Sequence, residues 1–135
     1  GVQPVATACV NTRAQLSPLA VAPHVTAFAD AATQDVTARY ADRLGPVTPV
    51  EPTAQAVLDW AREHALDQIV TPDTPVGPNA TLVGDLMRMD SDIPVRRIRR
   101  SYDDTAWPHA THGFFRFKDK IPSLLGQLRG LRAAE

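Results

Sequence analysis

Four short runs rich in valine and isoleucine alternate with segments of helical period along this chain, and that alternation constrains the fold more than any other feature. Strands separated by helix-length connections cannot pair as hairpins. They must lie parallel, joined by right-handed crossovers. The clearest case is residues 67–78, Asp67-Gln68-Ile69-Val70-Thr71-Pro72-Asp73-Thr74-Pro75-Val76-Gly77-Pro78. A short apolar run, Ile69-Val70, stops at a polar loop punctuated by three prolines and a glycine, with a helical pattern on either side. A buried central strand of a parallel sheet delivers a loop to a binding edge in this way.

The other elements follow in order. Val2–Val10 reads as the first strand, with Pro4 near its start, and residues 14–23 as a loop. Pro23 can open the next helix, because the N–H it lacks is not needed there. From His24 to Leu44, Val25, Phe28, Ala29, Ala32, Val36, Tyr40 and Leu44 keep spacings of three and four, which predicts one buried stripe. Gly45-Pro46 ends that helix. Val47–Val50 is a second strand, and Pro46, Pro49 and Pro52 place it at or near an edge. Thr53 is the expected N-cap of a second helix with Ala54, Val57, Leu58, Ala61 and Ala65 on its inner face and Trp60 beside them. The third strand is 68–71. Asn79 is the expected N-cap of a third helix with Leu82, Val83, Leu86 and Met87 inward.

Asp90-Ser91-Asp92 turns into a fourth strand, Ile93–Ser101, whose four arginines and imperfect alternation suit an exposed edge. Residues 102–113 read as loop. From Phe114 on, Phe117, Ile121, Leu124, Leu125, Leu128 and Leu131 regain helical spacing, with Pro122 in the first turn of the main helix. The expected fold class is α/β: a three-layer sandwich with a parallel, Rossmann-like or flavodoxin-like sheet of about four strands.

A length of 135 residues fits one domain with a single core. The chain begins at Gly1 and not at a methionine, and Arg129–Glu135 resembles a natural end. The expectation is therefore a single α/β domain excised from a longer protein. The one cysteine, Cys9, excludes an internal disulfide framework and suits a reducing, cytoplasmic setting. No window of 18 apolar residues is present, so no membrane span is expected. The net charge of −1 gives no global field for nucleic acid or membrane, but the charge is unevenly spread. Residues 1–87 carry four Lys/Arg and nine Asp/Glu; residues 88–135 carry ten and six.

In an open parallel sheet, ligands lie beyond the carboxyl ends of the strands. Those ends carry Asn11-Thr12-Arg13, Glu51, Thr71-Pro72-Asp73-Thr74 and Tyr102-Asp103-Asp104. The Thr71–Asn79 loop adds Gly77 and backbone N–H groups at a helix start, a position suited to an anion. The candidate binding residues are thus Asn11, Thr71, Asp73, Thr74, Gly77 and Asn79, against the plain reading that prolines stiffen a loop and Asn79 caps a helix. Neither strong glycine-rich phosphate fingerprint is present, and no catalytic set or nucleophile elbow is recognisable. His109 and His112 have too few converging partners for a metal site and read as loop histidines. Arginines 96, 97, 99 and 100 cannot share one face of a strand, so charge protecting an edge, or a docking surface for another domain, is the simpler reading over phosphate contact. Trp107, Phe114, Phe115 and Phe117 lie among Arg116, Lys118 and Lys120. Such clusters can stack bases, but a core plug at the last helix is the expectation.

The order of elements and the segment Gln68–Pro75 resemble the α/β antenna domain of the photolyase/cryptochrome family. Gly113-Phe114-Phe115-Arg116-Phe117-Lys118-Asp119-Lys120-Ile121-Pro122 looks like that family's connection after the last strand. The resemblance covers roughly residues 45–122, through loose motifs. Photolyases repair pyrimidine dimers in DNA with light and a reduced flavin, and cryptochromes are related photoreceptors. The resemblance implies a scaffold or antenna domain without a catalytic site of its own. It implies a pterin or deazaflavin as antenna, with Asp73 as the acidic contact, and FAD only on a separate helical domain of the same protein. That helical domain would be the partner and the route to DNA. The alternative is a stand-alone nucleotide-binding α/β module with its pocket at Asn11, Thr71 and Asp73.

Overall fold

The computed structural model describes the backbone of residues 4–132 and the side chains of residues 4–127. The chain is mixed α/β and divides into two compact units, residues 1–96 and 97–135. Among the described residues no helix is long and apolar enough to cross a membrane.

In the first unit, β1 (Thr7–Val10) lies parallel to β2 (Val47–Val50), with Thr7 opposite Val47 and Val10 opposite Val50. The expected strand from Val2 is shortened. Residues 2 and 3 lie outside the described residues, and pairing begins where the Thr7 N–H donates to Pro46 O at 2.8 Å. The Thr7 hydroxyl adds a bond of 2.6 Å to the Leu44 carbonyl, fixing the start of β1 to the end of the preceding helix. β2 has its expected bounds and, among the described residues, pairs with β1 alone, an edge position that suits Pro49.

The helix expected over 24–44 forms in two pieces, α1 (Pro23–Arg39) and α2 (Ala41–Leu44), separated at Tyr40. Gly45 then turns the chain into β2 at φ +64°, ψ −162°, a glycine-only conformation. A Cβ there would sit 3.0 Å from Val5 O.

α3 (Ala54–Glu63) begins at Thr53, whose hydroxyl accepts from the Ala56 N–H at 3.2 Å as the N-cap reading anticipated. It ends in a Schellman turn: Leu66 N–H bonds Ala61 O at 3.0 Å and Ala65 N–H bonds Arg62 O at 2.9 Å. Ala65, expected on the inner face, instead takes the left-handed position at φ +50° and is exposed.

β3 (Ile69–Pro72) pairs with β4 (Val95–Ile98) in a second small parallel sheet, and Ile69 N–H bonds Pro94 O at 3.0 Å. Backbone pairing thus joins the strands two by two. The expected fourth strand, Ile93–Ser101, is cut to its middle.

Between β3 and β4 runs α4 (Pro78–Arg88). Its N-cap is Gly77, at φ +140°, and Pro78 takes the first helical turn. The expectation of Asn79 as N-cap is therefore corrected. Proline's fixed φ and missing N–H favour the first helical position, which moves the cap one residue earlier and places Asn79 inside the helix.

The core of this unit is Val57, Leu58, Trp60 and Ala61 of α3 with Ile69, Leu86 and Ile93. Ala8 and Val10 of β1, Val50 of β2 and Val95 of β4 pack against the same cluster. Trp60 Nε1 is buried without a hydrogen-bond partner among the described residues. The stripe expected on α1 is not part of this core. α1 buries no residue, and Val25, Phe28, Val36 and Tyr40 are exposed.

The second unit contains α5 (Ser101–Ala106), a 3-10 turn Trp107–His109, α6 (Phe114–Lys118) and α7 (Ile121–Arg132). α5 occupies what reads as loop in the sequence. Its first turn carries Asp103 and Asp104, suited to the helix dipole. Asp103 takes two hydrogen bonds from Arg100, at 2.8 and 3.2 Å, and Asp104 pairs with Arg99 at 3.3 Å. The bond to Asp103 and its charge hold Arg100 above its ordinary pKa. Pro122 lies in the first turn of α7, as expected, and Ala106 and Leu124 are buried. Leu128 and Leu131 of the predicted stripe have side chains outside the described residues. The expected aromatic plug is not formed: Phe114 is 65% exposed and Phe115 79%. Six-residue and five-residue helices present too little surface to cover those rings.

Candidate functional site

A cleft of about 340 Å³ opens in the first unit where the chain leaves β1 and where the loop after β3 enters α4. Its polar lining is Asn11, Thr12, Arg13 and Asn79, with Thr33 of α1. Its apolar lining includes Val10, Leu16, Ala29 and Val76.

Each wall is fixed by an identifiable contact. Thr12, 7% exposed, is the one buried polar residue among those described. Its hydroxyl donates to Asn79 Oδ1 at 2.7 Å, joining the end of β1 to the first turn of α4. A buried hydroxyl needs such a partner, and Asn79 supplies it with the amide oxygen, leaving the amide N–H groups directed elsewhere. Arg13 is the second anchor. Its Nε bonds Asn11 Oδ1 at 2.9 Å, its Nη1 bonds the Thr26 carbonyl at 3.0 Å, and its Nη2 pairs with Asp30. The Asn11 amide oxygen also accepts the Arg13 backbone N–H at 3.0 Å. Arg13 thereby ties the end of β1 to α1 and has its charge matched inside the wall. An arginine so engaged shapes a site more than it offers a free cation to a ligand.

At the opposite wall, α4 begins without a side-chain cap. The N–H groups of its first turn lack intrahelical acceptors and carry the positive end of the helix dipole. Behind Arg13 lies a second cleft of about 400 Å³, formed largely by the 14–21 segment and sharing Asn11 and Arg13 with the first. The Asn11–Arg13 pair is the partition between them.

Of the six residues selected from the sequence, the cleft gathers Asn11, Gly77 and Asn79. Thr71, Asp73 and Thr74 do not line it. Thr71 belongs to β3 and its hydroxyl contacts the adjacent Pro72 carbonyl at 3.3 Å, while Asp73 and Thr74 are half-buried in the loop before the cleft. The sequence reading did not select Thr12, Arg13, Leu16, Ala29 or Thr33. Thr12 and Arg13 directly follow the first strand, so the strand-end rule points to them. Nothing local marks Ala29 and Thr33, which belong to α1, the helix that Arg13 bonds at the Thr26 carbonyl and pairs with at Asp30.

Among the described residues no three His, Cys, Asp or Glu side chains converge as a metal site requires. His112 Nδ1 lies 2.9 Å from the Thr111 hydroxyl. Cys9 is a free thiol at the cleft, half-buried. No family model matches the chain, and neither does any curated protein or solved structure compared with it.

Proposed function

We propose that this chain is the α/β domain of a protein of the photolyase/cryptochrome kind, a scaffold or antenna-chromophore domain whose cleft takes one fused-ring chromophore, a pterin or deazaflavin. The observation that carries the reading is the position of the cleft. It lies where β1 and the loop after β3 end, which is where open α/β sheets bind ligands. At about 340 Å³ it stands at the low end of small-molecule sites, sized for one ring system and not for a whole dinucleotide. Apolar walls suit the faces of such rings. Asn11, Asn79 and the first turn of α4 suit the polar edge or an attached anion.

The reading includes a finer fold: one Rossmann-like or flavodoxin-like sheet in the order β2-β1-β3-β4. It is supported by residues of all four strands packing against one α3-centred cluster, and by the Thr12–Asn79 bond across the β1 and β3 ends. In this reading FAD and any contact with a DNA lesion belong to a helical domain of the same protein, in the cytoplasm, and this chain performs no catalysis. A second reading, a stand-alone nucleotide-binding module, is favoured by the uncapped α4 start beside an apolar cleft, which would also accept adenine with a phosphate.

Titration of the chain with a reduced pterin, a deazaflavin and ATP tests both readings. Under the first, pterin or deazaflavin raises the melting temperature and its own absorption band shifts; under the second, ATP alone does so. A ligand at 100 times its Kd adds about 2.7 kcal/mol. Asn11→Ala together with Asn79→Ala removes the effect. Stabilisation by none of the three, or stabilisation indifferent to both substitutions, rejects the cleft as a site.

A further inference from the structure

The second unit carries a surface that the cleft does not explain. Residues 97–135 hold eight Lys/Arg and four Asp/Glu, so this unit is basic although the whole chain is not. Two of its acids, Asp103 and Asp104, are already matched by Arg100 and Arg99. Gly113–Lys120 carries three cations against one acid, Asp119. Arg116, Lys118 and Lys120 are exposed and make no ion pair among the described residues. On α6, with Arg116 and Lys118, Phe114 and Phe115 stand 65% and 79% exposed, their rings edge to face with centroids 5.8 Å apart. Lys118 follows Phe114 by four residues and Phe115 by three, so the cation shares the face of both rings. Elsewhere in the unit Trp107, 42% exposed, has the Arg99 guanidinium 4.5 Å from its ring centroid.

We propose that α6 and its flanks form a docking surface for single-stranded nucleic acid, with Phe114 and Phe115 stacking on bases and Arg116, Lys118 and Lys120 on the phosphates. Charge complementarity selects a polyanion. The exposed rings select one with flat, apolar faces, since every base can stack on an aromatic side chain. Two alternatives fit less well. Lysine is depleted in the cores of protein interfaces, where this patch has two lysines beside its rings. A membrane-lying helix needs a long apolar face, and α6 has five residues. The binding belongs to this chain itself and does not pass through a flavin domain.

The test is fluorescence anisotropy of a labelled oligothymidylate titrated with the full chain at low salt, beside a duplex of equal length and vesicles containing phosphatidylserine. The single strand is expected to bind more tightly than the duplex. Phe114→Ala with Phe115→Ala is expected to weaken binding at least about tenfold, given the worth of a stacked base. Arg116→Gln with Lys118→Gln is expected to lower the slope of log K against log salt by about 1.4, two phosphates' share on a single strand. All four side chains are exposed, and circular dichroism checks that each variant remains folded. The proposal is overturned by no binding up to about 100 µM chain at low salt, where even non-specific phosphate contacts register. It is equally overturned by binding indifferent to the phenylalanines, or by phenylalanine-dependent sedimentation with vesicles when the oligonucleotide does not bind.

Discussion

Helices α1 and α3 both carry apolar residues at helical spacing, yet they are held in opposite ways. α3 buries Val57, Leu58, Trp60 and Ala61, and the first unit's core forms around them. α1 is longer, 17 residues against ten, and buries none. Five of its residues are alanines, which remove little area from water when covered. Its larger side chains face solvent, with Phe28 at 76% exposure. What secures α1 is polar: the Arg13 guanidinium bonded to the Thr26 carbonyl and paired with Asp30. Hydrophobic period identifies residues that share a face. It does not say whether anything lies opposite that face.

Leu58→Ala is the largest test of this contrast. Leu58 is 2% exposed and among the described residues is the largest side chain so fully enclosed. Removing three heavy atoms there is expected to cost about 2–5 kcal/mol, read from urea unfolding. A loss below about 1 kcal/mol would place the centre of the core elsewhere.

Arg13→Ala addresses the other side. It removes one guanidinium from three acceptors, but Asp30 is half exposed and its pairing is screened by water. The expected global loss is about 1–2 kcal/mol. The sharper readout is local: amide exchange should accelerate in α1 and stay unchanged in α3. Equal acceleration in both helices would mean that α1 is an integral part of the core.

Ala65→Gly carries the opposite sign. Ala65 closes α3 at φ +50°, where an L side chain is disfavoured and glycine is not. After allowing for glycine's greater freedom when unfolded, a gain of about 0.5–1 kcal/mol is expected. A loss on this substitution would argue that the Schellman turn contributes little to fixing the end of α3.

The same contrast explains what could be read from residues alone. The bounds of β2, the Thr53 cap, the inner face of α3 as far as Ala61 and the place of Pro122 all follow from local rules: proline geometry, capping chemistry and period. α5 is not legible because six residues are too short to show a period, and Arg99 and Arg100 reach forward from its start to Asp104 and Asp103. Asn79 has the chemistry of a cap, but Gly77-Pro78 competes for the same helix start. At the cleft, Asn11, Gly77 and Asn79 are legible from the strand-end rule. Ala29 and Thr33 are not, since they lie on α1, which meets the end of β1 through long-range contacts from Arg13 to the Thr26 carbonyl and to Asp30.

The smallest expected effect bears most directly on α1. Phe28→Ser replaces the largest apolar side chain of the helix with a small polar one. Within the first unit Phe28 lines neither the core nor the cleft, while its neighbour Ala29 does reach the cleft. A residue mostly in water loses little on truncation, and serine and phenylalanine have nearly equal helix propensity, so the backbone adds almost nothing. The expected change is within about 0.5 kcal/mol, with ligand affinity at the cleft unaltered. A loss several times larger, measured in the same urea titration, would mean that this face is covered in solution. In that case the spacing of Val25, Phe28, Val36 and Tyr40 would mark a true buried stripe, and the distinction between a helix held by its core and a helix held by one arginine would fall.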